Sequence, residues 1–306
     1  MSIKEHIPPQ DHASKEYDLH VPVLLNASLE LLQPKEGESY LDLTAGYGGH
    51  AEAFLAATNN YADSVLVDRD ENAIRELGRF TDLGVNLVHS DFVSAAHELI
   101  EQARAFDIVL VDLGVSSPQL DSDMRGFSFA KNGPLDMRMD NRQEVSAATI
   151  VNTYSREKLA ALITQYGEET HGFAMKIATE ICKRRPLITT RELADLILHL
   201  HRGKWQKIHP ATRTFQALRI EVNQELTQVE AILPLLPRLL HQNGRVGVIS
   251  FHSLEDRLVK RYFKEQSEAG FEATLELLNK KPYSGAIYDA SHPRSRSAKL
   301  RGAAKK

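Results

Sequence analysis

The fold is decided at residues 40–50, which read YLDLTAGYGGH. An apolar strand ends at Asp42, a glycine-dense turn follows, and the residues after His50 have the composition of a helix start. Glycines let a ligand approach the backbone closely, and the free N–H groups of a helix start favour an anionic group. About 20 residues beyond the glycines, a second strand ends at Asp68, where a ribose-binding acid is expected. This stretch predicts a nucleotide-type pocket.

Two classes of cofactor fit such a pocket. Gly46, Gly48 and Ala51 alone satisfy the G-x-G-x-x-G/A pattern of nicotinamide and flavin enzymes. When Asp42 is included, the pattern becomes D-x-x-x-G-x-G, which resembles the first motif of S-adenosylmethionine methyltransferases. A strand-to-helix turn that binds nothing would have the same pattern. The choice among these three interpretations therefore depends on the neighbouring segments.

Composition is that of an ordinary globular protein. The 306 residues, 42% of them hydrophobic and 25% charged, suffice for one large domain or two of ordinary size. Cys182 is the single cysteine, which excludes a disulfide within the chain and disfavours a cysteine-based metal site. No apolar run approaches membrane-spanning length and residues 1–6 lack the apolar core of a signal peptide, so we expect a cytoplasmic protein without a membrane partner.

Positive charge is concentrated in two segments, although the net charge of the chain is −4. Residues 183–219 contain nine Lys or Arg against two acids, and residues 291–306 contain six basic residues and no acid. Localised basic surface is what phosphate binding requires. Solvated helix faces and a basic tail would give the same pattern, so charge alone leaves RNA binding open.

Alternating strand and helix patterns up to residue 112 predict a doubly wound α/β sheet. Residues 107–111 form a near-continuous apolar run, as expected of a central parallel strand. Ligands of such sheets bind at the carboxyl ends of the strands. In a methyltransferase-like sheet, Phe92 would pack on an adenine ring and Asp91 would accept a hydrogen bond from its amino group, although a core phenylalanine and a surface acid would give the same sequence. Four acids fall at or just after a predicted strand end: Asp42, Asp68, Asp91 and Asp112.

The pattern becomes helical from about residue 147. Apolar residues recur at i, i+3, i+4 and i+7 from Leu159 and again from Leu193, and Thr189 with Glu192 forms a capping box before the second set. We predict an all-α substrate-recognition domain at residues 136–215. It would be inserted into a discontinuous methyltransferase-like domain of residues 1–135 and 216–306.

Strands are expected to resume after this insertion. A helix is predicted from about residue 212 through Leu233, with Pro234 and Pro237 dividing it from a second piece that ends at residues 243–244. Residues 245–250 form a fifth buried strand. The remaining chain supplies the last two strands of a seven-stranded sheet, at residues 271–277 and 298–301.

Four groups of residues carry a resemblance to one family. The groups are residues 46–50 (GYGGH); 112–119 (DLGVSSPQ) with 125–129 (RGFSF) and 133–138 (GPLDMR); 209–216 (HPATRTFQ); and 250–257 (SFHSLEDR). They resemble the family of ribosomal RNA small subunit methyltransferase H, and the similarity in order and spacing covers nearly the whole chain. The resemblance implies a Rossmann-like class I sheet, S-adenosylmethionine as cofactor, and methylation of N4 of a cytidine in the decoding region of small-subunit (16S) ribosomal RNA.

The resemblance also implies site residues. Asp112 is our candidate for the group that accepts the amino proton of the target base, and its cofactor contact is the competing explanation. The positions that match cofactor contacts are Gly48, Gly49, His50, Asp68, Phe92, Asp112 and Gln119. The candidates for holding the RNA are Arg125, Arg138, Arg213, Phe215 and His252.

Other functions remain as alternatives. One is a nicotinamide-dependent oxidoreductase, and another is a non-catalytic RNA-binding or ribosome assembly factor on a methyltransferase fold. A serine hydrolase is disfavoured because no G-x-S-x-G motif surrounds Ser253. The histidines lack H-E-x-x-H spacing, so we predict no catalytic zinc and assign no metal ligands. A homodimer is consistent with the sequence.

Overall fold

One mixed sheet organises the part of the chain that the structure describes. The structure is a computed structural model and describes residues 22–115, 117–201 and 208–306. Within these ranges eight strands form the sheet: β1 (Tyr40–Asp42), β2 (Val65–Asp68), β3 (Asn86–His89), β4 (Phe106–Asp112), β5 (Leu240–Ser250), β6 (Leu275–Leu277), β7 (Tyr283–Ser284) and β8 (Lys299–Lys305).

The strand order is that of a doubly wound fold. It runs β3-β2-β1-β4-β5-β8-β6, and β7 pairs with β8 beyond this path. Strands β1 to β5 are parallel, and β8 runs antiparallel to β5, β6 and β7. Chain order reverses between β1 and β4, and a ligand site is expected at this switch point. The predicted α/β sheet is confirmed, with eight strands in the described ranges where seven were expected.

Helices cover both faces of the sheet and form the segment between β4 and β5. No helix of the described residues combines the length and the apolar character that a membrane span requires. Thirteen α-helices lie in the described ranges: α1 (Leu25–Leu32), α2 (Gly49–Thr58), α3 (Glu71–Leu77), α4 (Phe92–Glu101), α5 (Ser117–Asp121), α6 (Ala147–Thr153), α7 (Arg156–Gly167), α8 (His171–Arg184), α9 (Thr190–Leu200), α10 (Thr212–Asn223), α11 (Glu225–Ile232), α12 (Ser253–Glu268) and α13 (Gly285–Tyr288).

Strand β4 is buried on both faces because alternate side chains enter different hydrophobic clusters. Val109 and Val111 belong to the cluster that α4, α11 and α12 cover. Ile108 and Leu110 belong to the cluster that α2 and α3 cover. This arrangement fixes the carboxyl end of β4 in the middle of the sheet edge.

The helical segment has a hydrophobic core of its own. The predicted helices are present as α7, α8 and α9, and the Thr189–Glu192 capping box starts α9. The core cluster extends from Phe127 to Val222, so α10 and the loop before α6 contribute to it. Buried apolar contacts therefore continue beyond residues 136–215 on both sides.

Two predictions for the segment after these helices are wrong. The helix expected through Leu233 is interrupted at Gln224, whose φ of 50° separates α10 from α11. Asn223 fixes this break because its side chain bonds the backbones of Met137 and Met139, each at 2.8 Å. Strand β5 also begins before the predicted residue 245. It includes Gly244, where a Cβ would lie 2.9 Å from the Phe106 carbonyl oxygen.

Candidate active site

A cavity of about 480 Å³ opens at the carboxyl ends of β1, β2, β4 and β5. One half of its wall comes from the loops after β1, β2 and β4. The other half comes from α10, α11 and the start of α12. The volume lies within the range of small-molecule sites, roughly 300–1,000 Å³. The sheet edge and the helical segment thus enclose one space.

The glycine loop forms the floor of the first half. Gly48 adopts φ 85°, and a Cβ on it would lie 2.6 Å from the Phe80 ring. A Cβ on Gly49 would lie 2.5 Å from Pro22. Side chains at these two positions would therefore push the loop out of place. Gly49 lines the cavity, whereas Gly48 supports the loop from outside the lining that the described residues form.

Asp68 connects the ends of β1 and β2. Its Oδ2 accepts the Gly46 N–H at 2.8 Å, and its Oδ1 accepts the Asp70 N–H at 2.8 Å. Burial raises the pKa of Asp68, although these two N–H groups counteract that effect. The carboxyl lines the cavity with further lone pairs available, which is the arrangement that hydroxyl recognition requires.

Asp42 lies buried beneath the loop. The Tyr40 hydroxyl donates to it at 2.8 Å and the Thr44 N–H at 3.1 Å. Burial raises its pKa to about 7, against the lowering effect of these hydrogen bonds. Thr44 in turn accepts the Asp112 N–H at 2.6 Å, so the loop after β1 is tied to the end of β4.

His50 and Asp112 face each other at the centre of the cavity wall, with Nδ1 and Oδ2 3.6 Å apart. His50 Nε2 lies 3.1 Å from the Val23 carbonyl, which can only accept, so Nε2 carries the proton. Burial lowers the pKa of His50 to about 4, which makes the ring neutral. Burial and the carboxylates of Asp42 and Glu255 raise the pKa of Asp112 well above its usual range.

Asp112 has one oxygen to offer a ligand. Its Oδ1 is buried and makes no hydrogen bond to any residue that the structure describes. Leaving a buried polar atom unpaired costs about 1–3 kcal/mol, and such atoms are rare away from functional sites. Asp112 lines the cavity. Its side chain is therefore suited to a partner that arrives with the ligands.

Two other predicted cofactor contacts also lie in the wall. Phe92 opens α4 and lines the cavity. Gln119 lines it too, and its Nε2 donates to Asp70 at 2.7 Å. Asp91 is placed differently from expectation. It caps α4 by accepting hydrogen bonds from the N–H groups of Val93 and Ser94. Asp91 does not belong to the cavity wall that the described residues form. The predicted contact between Asp91 and adenine therefore lacks support.

The three arginines expected to hold RNA do not belong to the cavity wall that the described residues form. Each of them is ion-paired with an acidic residue of the protein. Arg125 contacts Asp70 at 3.0 Å and donates to two backbone carbonyls, which gives it a structural position. Arg138 contacts Asp136 at 2.7 Å. Arg213 is 53% exposed and lies 3.5 Å from Glu169, so it faces the surface.

Phe215 lines the second half of the cavity with Phe129. Their ring centroids are 4.8 Å apart in an edge-on arrangement, and the His209 ring lies 4.7 Å from Phe129. Aromatic rings that line a cavity in this way can receive an unstacked base. Phe215 is also part of the helical core, so it has a packing role as well.

His252 lies in an ion-paired cluster that the sequence did not reveal. Its Nε2 is 3.2 Å from Glu255 and 3.8 Å from Glu225, and Arg219 binds Glu225 through two hydrogen bonds of 2.8 and 2.9 Å. Burial alone would lower the pKa of His252, but the two glutamates raise it to about 9. The four residues alternate in charge and all line the cavity.

The same cluster bears on the prediction that no metal is needed. The ligand atoms of Glu225, His252 and Glu255 all lie within 4.8 Å of one another, which is compatible with a divalent cation. The Arg219 guanidinium already neutralises Glu225, which opposes a second cation there. The absence of a catalytic metal stays a prediction.

Sequence reasoning missed Arg219, Glu225 and Glu255 as members of the site. Glu255 could have been found, because it lies in the segment around His252 that carries the family resemblance. Arg219 lies in α10 and Glu225 begins α11, one on each side of the break at Gln224, and only the fold shows that both residues face the cavity.

The strand order, the glycine loop and the acids around the switch point define a class: S-adenosylmethionine-dependent methyltransferases with a Rossmann-like sheet. Comparison with known proteins narrows this class to one family. The model of the MraW methylase family matches residues 18–306.

Curated relatives agree with that match. Three proteins named ribosomal RNA small subunit methyltransferase H are similar to the chain. The Synechocystis sp. protein is 44% identical, covering 94% of this chain and 93% of its own. The Acidobacterium capsulatum protein is 42% identical (95% and 100%), and the Cyanothece sp. protein is 46% identical (92% and 93%). The chain belongs to the MraW methylase family.

Proposed function

We propose that this protein transfers a methyl group from S-adenosylmethionine to N4 of a cytidine in the decoding region of small-subunit (16S) ribosomal RNA. One observation carries the site assignment: the unpaired, buried Oδ1 of Asp112 lies in a cavity that the glycine loop and the His252 cluster share. The family membership and the names of the relatives support the reaction and the substrate.

The residues of the first half fit the cofactor. Asp68 offers lone pairs for ribose hydroxyls, and Phe92 offers a ring face for adenine. Gly49 keeps the loop close to the ligand, with Gly48 behind it. When bound, S-adenosylmethionine supplies an electrophilic methyl group on a sulfonium. The proposed contacts are Gly48, Gly49, His50, Asp68, Phe92, Asp112 and Gln119.

The proposed reaction requires the protein to activate a poor nucleophile, cytosine N4. The lone pair of cytosine N4 is delocalised into the ring, and an acceptor for the amino hydrogen returns electron density to nitrogen. Asp112 Oδ1 is the acceptor we assign, and it serves in this way even when the carboxyl is protonated. Holding the two reactants in line can supply several kcal/mol, about 7–11 in model reactions.

The second half of the cavity receives the base. Phe215 and Phe129 provide the aromatic wall for a nucleotide that has left its stack. His252 lines this half of the cavity, and Glu225 and Glu255 hold its Nε2 in place. Arg213 is proposed for a phosphate at the surface. Arg125 and Arg138 are now proposed to position the loop before α6, because both are paired within the protein.

The same proposal assigns a separate role to each of two domains. Residues 1–135 and 216–306 would form the methyltransferase domain, and residues 136–215 would form the substrate-recognition domain. The substrate makes the cytoplasm the expected location. A homodimer is a further prediction, which light scattering can test.

Transfer of labelled methyl to small ribosomal subunits that lack the modification tests the function. We expect label in the ribosomal RNA, and nucleoside mass spectrometry should identify it as N4-methylated cytidine. Absence of label, with S-adenosylhomocysteine still bound, would favour the non-catalytic assembly factor. Calorimetry with NADH separates the oxidoreductase alternative, since tight NADH binding would contradict the proposal.

A further inference from the structure

The exposed face of α12 carries four basic side chains. Arg257, Lys260, Arg261 and Lys264 are spaced at i, i+3, i+4 and i+7, which places them in one stripe along the helix. All four are exposed, and the opposite face is buried in the sheet core. We call these four residues the α12 basic stripe.

Two exposed acids of α12, Glu265 and Glu268, lie beside the C-terminal end of the stripe, so the exposed face of the helix has four positive charges against two negative ones. Arg257 lies 3.3 Å from Glu168 and Lys264 lies 3.9 Å from Glu268, and these exposed ion pairs contribute little energy. Lys260 and Arg261 make no ion pair with any residue that the structure describes.

The acids at the start of α12 do not face the stripe. Asp256 is buried and bound by Lys299 and Arg301 at 2.8 and 2.7 Å. Glu255 is buried beside His252. The stripe thus presents positive charge on the outside of the helix, whereas these acids are neutralised on its inner side.

The stripe starts at the cavity. Helix α12 begins at Ser253, directly after the cavity residue His252. With a rise of about 1.5 Å per residue, Arg257 lies about 6 Å and Lys264 about 16 Å along the axis from Ser253. A strand whose target base is inserted in the cavity has to leave across the neighbouring surface.

We propose that the α12 basic stripe binds the phosphates of the RNA strand next to the target nucleotide. The inference rests on the proposed function, because it takes RNA as the ligand. Lysine and arginine contacts to phosphate position a nucleic acid without reading its sequence. The stripe would hold the register of the strand while the cavity selects the base. This role replaces the one expected of Arg125 and Arg138.

Charge reversal tests the stripe. Lys260→Glu and Arg261→Glu should each raise the KM for small subunits about fivefold or more, and should leave S-adenosylhomocysteine affinity unchanged. The affinity for free small-subunit ribosomal RNA should depend less on salt. The slope of log affinity against log salt concentration should become smaller in magnitude by about 1 for each lost phosphate contact. Lys260→Arg should retain wild-type behaviour because it keeps the charge.

Lys35→Glu is the matched control, since this exposed lysine precedes the amino end of β1, whereas the cavity lies at the carboxyl ends of the strands. Equal KM and equal salt slope for Lys260→Glu and Lys35→Glu would overturn the inference. Weaker binding to intact subunits with unchanged binding to free RNA would point to a ribosomal protein and would overturn it as well. If the wild-type protein transfers no label, the proposed function is wrong. The RNA-binding measurement tests the α12 basic stripe independently of that result.

Discussion

The two halves of the cavity are built in different ways. In the half formed by the loops after β1, β2 and β4 (the cofactor half), carboxylates near the ends of β1 and β2 accept backbone N–H groups, as Asp68 does from Gly46. In the half formed by α10, α11 and the start of α12 (the acceptor half), side chains meet in the ion-paired cluster of Arg219, Glu225, His252 and Glu255. Hydrogen bonds to the backbone thus hold one half, and charge pairing between side chains holds the other. Mutations should affect the two halves differently.

The largest expected effect is in the acceptor half. Arg219→Met removes the partner of Glu225 and leaves a buried carboxylate short of a counter-charge. We expect a loss of about 3 kcal/mol in the free energy of unfolding, measured by urea denaturation. The double variant Arg219→Met with Glu225→Gln should recover most of it, because the unpaired charge is then absent. Equal losses in single and double variants would show that packing, not charge, holds this half.

The next effect belongs to the cofactor half. Asp68→Ala removes the acceptor for the Gly46 N–H and the proposed ribose contact. Calorimetry should show S-adenosylhomocysteine binding about 30-fold weaker, which corresponds to about 2 kcal/mol. The control is Asp82→Ala, an exposed acid beyond α3, which should bind normally. Unchanged affinity of Asp68→Ala would remove the cofactor assignment.

The pH dependence of stability should sharpen the contrast. The pKa of His252 is about 9 in the folded protein against an ordinary value of 6.5, because Glu225 and Glu255 outweigh the effect of burial. Its ion pairs therefore stabilise fully below pH 6.5, and this contribution is lost as the pH rises through 9. Between pH 6.5 and 9.5 the wild type should lose roughly 3 kcal/mol more than His252→Gln does. Parallel pH profiles would argue against a charged His252.

The smallest effect should come from the surface. Arg213→Ala should leave cofactor affinity unchanged and should alter stability by less than about 0.5 kcal/mol, since its pair with Glu169 is exposed. The KM for small subunits should rise about threefold through loss of one phosphate contact. Arg75→Ala removes a similarly exposed ion pair on α3 and should leave the KM unchanged.

The same contrast explains what could be predicted from the sequence. The glycine loop, Asp68 and Phe92 were found because their spacing reflects strand and helix periods over a few tens of residues. The helices α7, α8 and α9 were found for the same reason, down to the capping box at Thr189. These features depend on local backbone geometry.

Other features depended on contacts that spacing does not encode. The break at Gln224 is held by Asn223, which bonds residues more than 80 positions earlier. The arginines Arg125 and Arg138 looked available in sequence but are paired by nearby acids in the fold. Charge type alone cannot tell a paired arginine from one that awaits phosphate.

The separation of β4 from β5 has a consequence for how the protein is made. These adjacent strands pair over the centre of the sheet, yet roughly 130 residues lie between them, so at about 10 residues per second the ribosome needs more than 10 seconds to deliver the second strand. During that interval one edge of β4 has no strand beside it, and such edges invite pairing with other chains. The length of the chain between β4 and β5 therefore sets how long the nascent chain needs protection against aggregation.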